Sequence, residues 1–158
     1  MADRDQLTSL NLPDYDVRIR SEAGKRFVYD PLRRKYVRLT PEEWVRQHFL
    51  LYLMRDCGYP GSLIAVEMGF AYQNMPRRAD IVVHDRQGAP FLMAECKAPD
   101  VGIEQSTFDQ VARYNVVVNA RFLAVTNGMH HYCWRTDRAT GTHEFLNGVP
   151  SFGAPSIP

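Results

Sequence analysis

Three residues in the middle of the chain carry side chains that could do chemistry together. In the run Phe91-Leu92-Met93-Ala94-Glu95-Cys96-Lys97 a strand's period of two puts Phe91, Met93, Glu95 and Lys97 on one face and Leu92, Ala94 and Cys96 on the other. Upstream, Asp80, Val82 and His84 share a face in the same way. If the turn Asp85 to Pro90 closes a hairpin that pairs His84 with Phe91, then Val82 meets Met93 and Asp80 meets Glu95. Two facing carboxylates in apolar surroundings repel, and each bare charge costs several kcal/mol. A hard divalent cation resolves both problems: Mg²⁺ takes one or two carboxylates, keeps several waters and binds phosphate, and Mn²⁺ is a substitute. Lys97 at the rim could then orient an attacking water or stabilise charge developing on a phosphate. The alternative is a salt-bridged strand pair in which Lys97 neutralises one acid.

Other groups stand in supporting positions. Gln110 and Tyr114 are four apart and so share one helix face, a polar pair able to reach the strand ends, or simply a solvated Gln beside a core-edge Tyr. Glu43 could serve as a supporting carboxylate or hold a second metal, although a capping role explains it equally well; Glu42 is its substitute. Arg77 and Arg78, just before Asp80, are placed to contact phosphates. His130-His131-x-Cys133 with Cys96 or Cys57 raises zinc, but adjacent strand residues point to opposite faces and no Cys-x-x-Cys pair exists, so zinc is set aside. His84 reads as a surface histidine at the hairpin end. No Gly-rich phosphate loop is present.

The elements that must position these groups form an α/β pattern. Thr40-Pro41-Glu42-Glu43 is a strong helix start, with Thr40 as cap, Pro41 at the first helical position and Glu43 completing a capping box. The helix ends at Gly58 and Pro60. Strands follow at Leu63 to Met68, Ala79 to His84 and Phe91 to Cys96, then a helix from Glu104 to Asn119. Arg121 to Thr126 and Met129 to Arg135 pair about an Asn127-Gly128 turn. Helix, three strands, helix, two strands predicts a mixed sheet flanked by helices. Before the core, Val17 to Ile19, Arg26 to Tyr29 and Lys35 to Leu39 predict a small β leader. The divisions expected are residues 1–39 as leader, 40–148 as core and 149–158 as a Pro-rich tail, with the stretch to Asp16 and the tail peripheral.

The 158 residues are enough for one self-sufficient core, since a chain of this size buries roughly two thirds of its unfolded surface. The 19 Lys and Arg nearly balance 18 Asp and Glu, yet the charge is segregated: Val17 to Thr40 holds eight basic residues and two acids. Three widely spaced cysteines fit reduced thiols, and an acidic start without an apolar run is no secretory signal. A cytoplasmic protein with no membrane span is expected.

Taken together, Ala79-Asp80, Glu95-Cys96-Lys97 and Gln110-x-x-x-Tyr114 resemble the PD-(D/E)XK nuclease superfamily. From Tyr36 to about Trp134 the chain is similar to the N-terminal nuclease domain of the type I restriction enzyme R subunit, on Thr40 to Glu43, Arg78 to Ile81, Glu95 to Pro99, Gln110 to Tyr114 and Thr126 to Gly128. Ala79 stands where the motif's name has Pro, a position that contributes backbone geometry only. The resemblance implies a restriction-endonuclease-like core and a Mg²⁺-dependent DNA nuclease. Asp80, Glu95 and the Cys96 carbonyl would be metal ligands, Lys97 the catalytic lysine, and Gln110 and Tyr114 the helix motif. It further implies DNA as partner, with motor and specificity subunits supplied by other chains. The alternative from another class is a catalytically silent module that binds DNA or a partner protein.

Overall fold

The structure, a computed structural model, describes residues 7–137 and 139–153. The leader is a three-stranded antiparallel sheet of β1 (Ile19–Glu22), β2 (Lys25–Asp30) and β3 (Lys35–Arg38), in that order. Ala23 and Gly24 both take positive φ in its first turn, the conformation that matches a two-residue turn to strand twist. Ile19, Val28 and Val37 align in one cross-strand row and pack with Leu51 and Trp44 of α1 (Pro41–Arg55). The other side of α1 sends Val45, Phe49, Leu50 and Leu53 into the main core. Burying each such large side chain contributes about 1.5–3 kcal/mol. Covered on both sides, α1 also buries Glu43, Arg46, Gln47 and His48, and so shows no single apolar stripe.

The main sheet contains β4 (Ile64–Tyr72), β5 (Met75–His84), β6 (Pro90–Cys96), β7 (Phe122–Thr126), β8 (His131–Asp137) and β9 (Thr142–Leu146), in sequential order. Only β6 and β7 are parallel, and α2 (Gln105–Val118) supplies the crossover that a parallel pair requires. Alternation along β6 sends Leu92, Ala94 and Cys96 to the α1 side and Met93 to the α2 side with Val111 and Val118. The mixed sheet flanked by helices agrees with the fold class expected from sequence. No helix among the described residues is long and apolar enough to cross a membrane.

Several details differ from the expectations. Strands β4 and β5 extend into a long hairpin closed by Gln73 and Asn74, both at positive φ, where the sequence predicted shorter strands and a loop. A ninth strand, β9, completes the sheet along β8. Val82 does face Met93, but His84 faces Pro90, because Phe91 is an extra residue in β6 and turns into the α1-side core. The described ends are packed: Tyr59 Oη donates to Pro150 O at 2.6 Å, and Phe152 meets Tyr59 and Phe91. Trp44 Nε1 likewise donates to Thr8 O at 2.9 Å. Residues 1–6 and 154–158, which belong to the expected peripheral ends, lie outside the described residues.

Candidate active site

The β5–β6 ladder stops at Ile81 and Ala94, and Asp80 and Glu95 are the next residues outward. There the two strands stop bonding backbone to backbone: Cys96 N–H donates instead to Asp80 Oδ2 at 2.8 Å. On the other side of β5, Glu67 falls between the pairs Val66–Ile81 and Met68–Ala79, opposite Asp80, with φ at 54°. A non-glycine residue in the left-handed region inside a strand is costly, so the ladder is perturbed on both flanks of Asp80.

Burial raises the Asp80 carboxyl above the usual carboxylate range, although Cys96 N–H and the Arg46 charge pull the other way. Glu95 is pushed up to about 8, first by burial and then by the Asp80 charge, against the pull of Lys97. Even with two cations nearby, the pair thus retains a proton well above its ordinary range. Lys97 follows β6 directly, half-buried, its backbone N–H bonded to Thr126 O of β7 at 2.8 Å. The Cys96 side chain is wholly buried in the core, and burial lifts its thiol far above the ordinary range. Only the backbone of Cys96 is therefore available to a ligand.

Two acids of α1 divide their work. Glu43 N–H donates to Thr40 Oγ1 at 3.0 Å, the first half of the expected capping box. Its carboxylate, however, meets Arg33 Nη2 at 2.6 Å and Arg46 Nε at 3.1 Å. One oxygen therefore accepts a hydrogen bond from Arg33, and the other, buried without a hydrogen bond, is ion-paired with Arg46. Glu42 is the acid exposed to the field of the pair: burial and then the Asp80 charge raise it, while Arg46 and Lys97 lower it. Glu42 also lies 3.8 Å from Arg46 Nη2, the same nitrogen that is 3.9 Å from Asp80.

Sequence reasoning missed the arginines that organise this region. Arg46 Nη2 lies 3.9 Å from Asp80 Oδ1, and Arg46 Nη1 lies 3.1 Å from Glu67 Oε1. Arg33, in the turn between β2 and β3, meets Asp30 at 2.6 Å and Glu67 at 3.2 Å besides Glu43. Burial alone would raise Asp30, but the Arg33 backbone and side-chain donors and Gln47 hold it below the usual range. The signal for Arg46 was its spacing of three and four from Glu43 and Glu42.

The other expected residues come from α2 and β5. Tyr114 packs edge-on against Phe70 and Tyr72 of β4 at 5.1 and 5.8 Å, and Gln110 is half-buried one turn earlier on α2. Arg78 is largely exposed and 3.7 Å from Glu67; Arg77 Nη1 donates to Pro76 O. His131 is occupied on both ring nitrogens, by Thr126 Oγ1 at 2.7 Å and Asn11 O at 2.8 Å, and all three cysteines are free thiols. Among the described residues no three His, Cys, Asp or Glu side chains are arranged to hold a metal unaided.

Comparison with solved structures places this chain on the fold of a fragment assigned to the HsdR subunit of a type I restriction enzyme from Vibrio vulnificus YJ016. The TM-score is 0.53 at 20% sequence identity, over 72% of this chain and 24% of that one. The chain therefore spans about a quarter of the length of that relative. A comparison with curated proteins finds no match. The model of the type I restriction enzyme R protein N terminus matches residues 41–150, from the first residue of α1 to beyond β9. With the strands that carry Asp80 and Glu95, Lys97 just beyond them, and both helices inside that match, the chain belongs to the type I restriction enzyme R protein N-terminus family.

Proposed function

We propose that this chain is a divalent-metal-dependent DNA nuclease module of the PD-(D/E)XK type, acting within a restriction system alongside motor and specificity functions. The observation that carries the reading is the placement of two carboxylates at one point, Asp80 and Glu95 side by side where the β5–β6 ladder ends, with Cys96 N–H on Asp80 and Lys97 two residues after Glu95; burial and the Asp80 charge push Glu95 up to about 8. Carboxylates held in that state are short of positive charge. An all-oxygen donor set of two carboxylates and a backbone carbonyl, too few to cage an ion alone, suits Mg²⁺ or Mn²⁺, which keep bound waters and accept phosphate oxygens. Asp80, Glu95 and the Cys96 carbonyl would hold the ion. When bound, it would supply Lewis-acid polarisation of the scissile phosphate.

The chain's own residues do the rest. The Cys96 N–H fixes Oδ2 of Asp80, and Oδ1, 3.9 Å from Arg46, would be the oxygen offered to the ion. Lys97 orients the attacking water and offsets charge that develops on the phosphate in line with that attack. Glu42 adds negative potential at the rim, and Gln110 supports the site from α2. Arg77 and Arg78 contact the DNA backbone, which sets affinity and not sequence choice. Nicking of supercoiled plasmid tests the reading: cleavage is expected with Mg²⁺ or Mn²⁺, none with EDTA, and none with Lys97→Ala. Equal cleavage by Lys97→Ala would refute the assigned site.

One observation favours a second reading, a silent module that binds DNA or a partner protein. Arg46 already stands 3.9 Å from Asp80 and offsets part of the charge that a metal would neutralise. Calorimetry with Mg²⁺ separates the two, since Asp80→Asn abolishes metal binding only if the carboxylates form a site.

A further inference from the structure

The leader sheet has two unlike faces. One, the row Ile19–Val28–Val37, packs on α1. The rows on either side of it point the opposite way: Arg20, Phe27 and Arg38 form one, and Tyr29 with Tyr36 the other. The latter row is extended by Arg18, whose carbonyl accepts from Tyr29 N at 2.9 Å. Three arginines and three aromatic rings therefore share the face that α1 leaves uncovered.

They are interleaved. The guanidinium carbons of Arg18, Arg20 and Arg38 lie 5.5, 4.3 and 6.0 Å from the ring centroids of Tyr29, Tyr36 and Phe27. Tyr29 and Tyr36 meet edge to face at 5.3 Å. The rings are half-buried and all three arginines are exposed. Glu22, 3.3 Å from Arg20, is the acid the strands place on this face, and Asp16 lines a depression with Arg18 and Tyr29, so three arginines stand against two acids. Arg38 also lines a groove of about 580 Å³ with Arg33 and Arg46 and with the acids Glu42, Glu43 and Glu67, and Arg46 lies 3.9 Å from Asp80 of the carboxylate pair.

We propose that the outer face of the β1–β3 sheet binds single-stranded DNA, leading an unpaired strand across Arg38 to or from the carboxylate pair. Arginines answer phosphates, and half-buried rings offer flat surfaces to bases. A duplex keeps its base faces stacked and gains nothing from such rings, whereas an unpaired strand presents them. An apolar protein partner would have to bury three guanidinium groups with no phosphates to pair them, at a cost that an anionic strand avoids. The choice of DNA as the nucleic acid rests on the nuclease reading above; the surface itself does not.

The test is fluorescence anisotropy of the full chain, in EDTA, with a labelled oligothymidylate of about 20 nucleotides and a duplex of equal length. The single strand is expected to bind more tightly than the duplex. The pair Tyr29→Ala with Tyr36→Ala is expected to weaken it about tenfold or more, as loss of base stacking does. Arg18→Gln, Arg20→Gln and Arg38→Gln together, on exposed positions that leave the fold intact, are expected to weaken it and flatten its salt dependence. Wild-type affinity and salt slope in the arginine variant, or equal binding of duplex and single strand, would overturn the proposal. Plasmid nicking by the same proteins keeps the two readings apart. Tyrosine-dependent binding without nicking leaves this surface standing and removes the nuclease reading; nicking with oligonucleotide binding indifferent to these substitutions does the reverse.

Discussion

Arg46 Nη2 lies 3.9 Å from Asp80 Oδ1, on the carboxylate whose other oxygen accepts the Cys96 N–H at 2.8 Å. The same guanidinium meets Glu43 and Glu67, each at 3.1 Å, and Glu42 at 3.8 Å, so one buried cation faces four acids. Truncating one partner of a buried ion cluster strands the others without solvent. Arg46→Met is therefore expected to lose about 3–5 kcal/mol of stability in urea denaturation. Arg46→Lys should recover only part, because an ammonium cannot fork between the acids. A loss below about 1 kcal/mol would mean that the cluster is solvated like a surface pair.

The pH dependence follows from Glu95. Its folded value of about 8 lies above the ordinary 4.5, so between these values the folded chain holds a proton that the unfolded chain has released. The group's contribution to stability is complete below about pH 4.5 and is lost as pH rises through about 8. Asp80, also raised, acts in the same direction, and the two titrate as a pair. Relative to wild type, Glu95→Gln should flatten the fall in stability over this window. Calorimetry in buffers of different ionisation heat should show release of roughly one proton per Mg²⁺ bound near pH 7, vanishing near pH 9. Release that does not change with pH would contradict the assignment.

Glu67 holds φ at 54° inside β4 while its carboxylate serves Arg33 and Arg46. Replacing it with Ala or Gly removes the carboxylate equally, but only Gly accepts the backbone without strain. Glu67→Gly should therefore be more stable than Glu67→Ala by about 1 kcal/mol, the reverse of their usual order in a strand. The usual order, found by denaturant melts, would show that the strand relaxes at this position.

Gly128 combines a φ of +83° with close cover: a Cβ there would lie 2.7 Å from Leu10 Cδ2 and 3.2 Å from Val45 Cγ2. Gly128→Ala is expected to cost more than about 1 kcal/mol, from backbone strain and overpacking together. In a Leu10→Ala background the cost should shrink, and a double-mutant cycle measures how much of it is steric. Strict additivity would assign the whole cost to the backbone.

How much of this was legible in the sequence depended on how local each signal was. The Val82–Met93 pairing and both helices follow from alternation, a short turn and a cap, all set within a few residues. The Gln73-Asn74 turn lacked the glycine that usually marks such a bend, and β9 is a largely exposed edge strand without an apolar alternation. The choice between Glu42 and Glu43 depends on how α1 is rotated against the sheet, and that rotation is fixed from outside by Arg33, ten residues before Glu43. Arg46 was hidden because α1 is buried all round, so an interior arginine broke no visible stripe.

The contacts of Arg33 carry one more consequence. A shortened chain trimmed to residues 41–150, the span of the family match, would keep Asp80, Glu95 and Lys97 intact. It would also deprive Glu43 and Glu67 of a counter-charge and lay Leu51 bare to water, since Arg33 and Val28 come from the leader. An inert trimmed fragment would report a missing keystone and say nothing about whether the carboxylate pair can cut DNA.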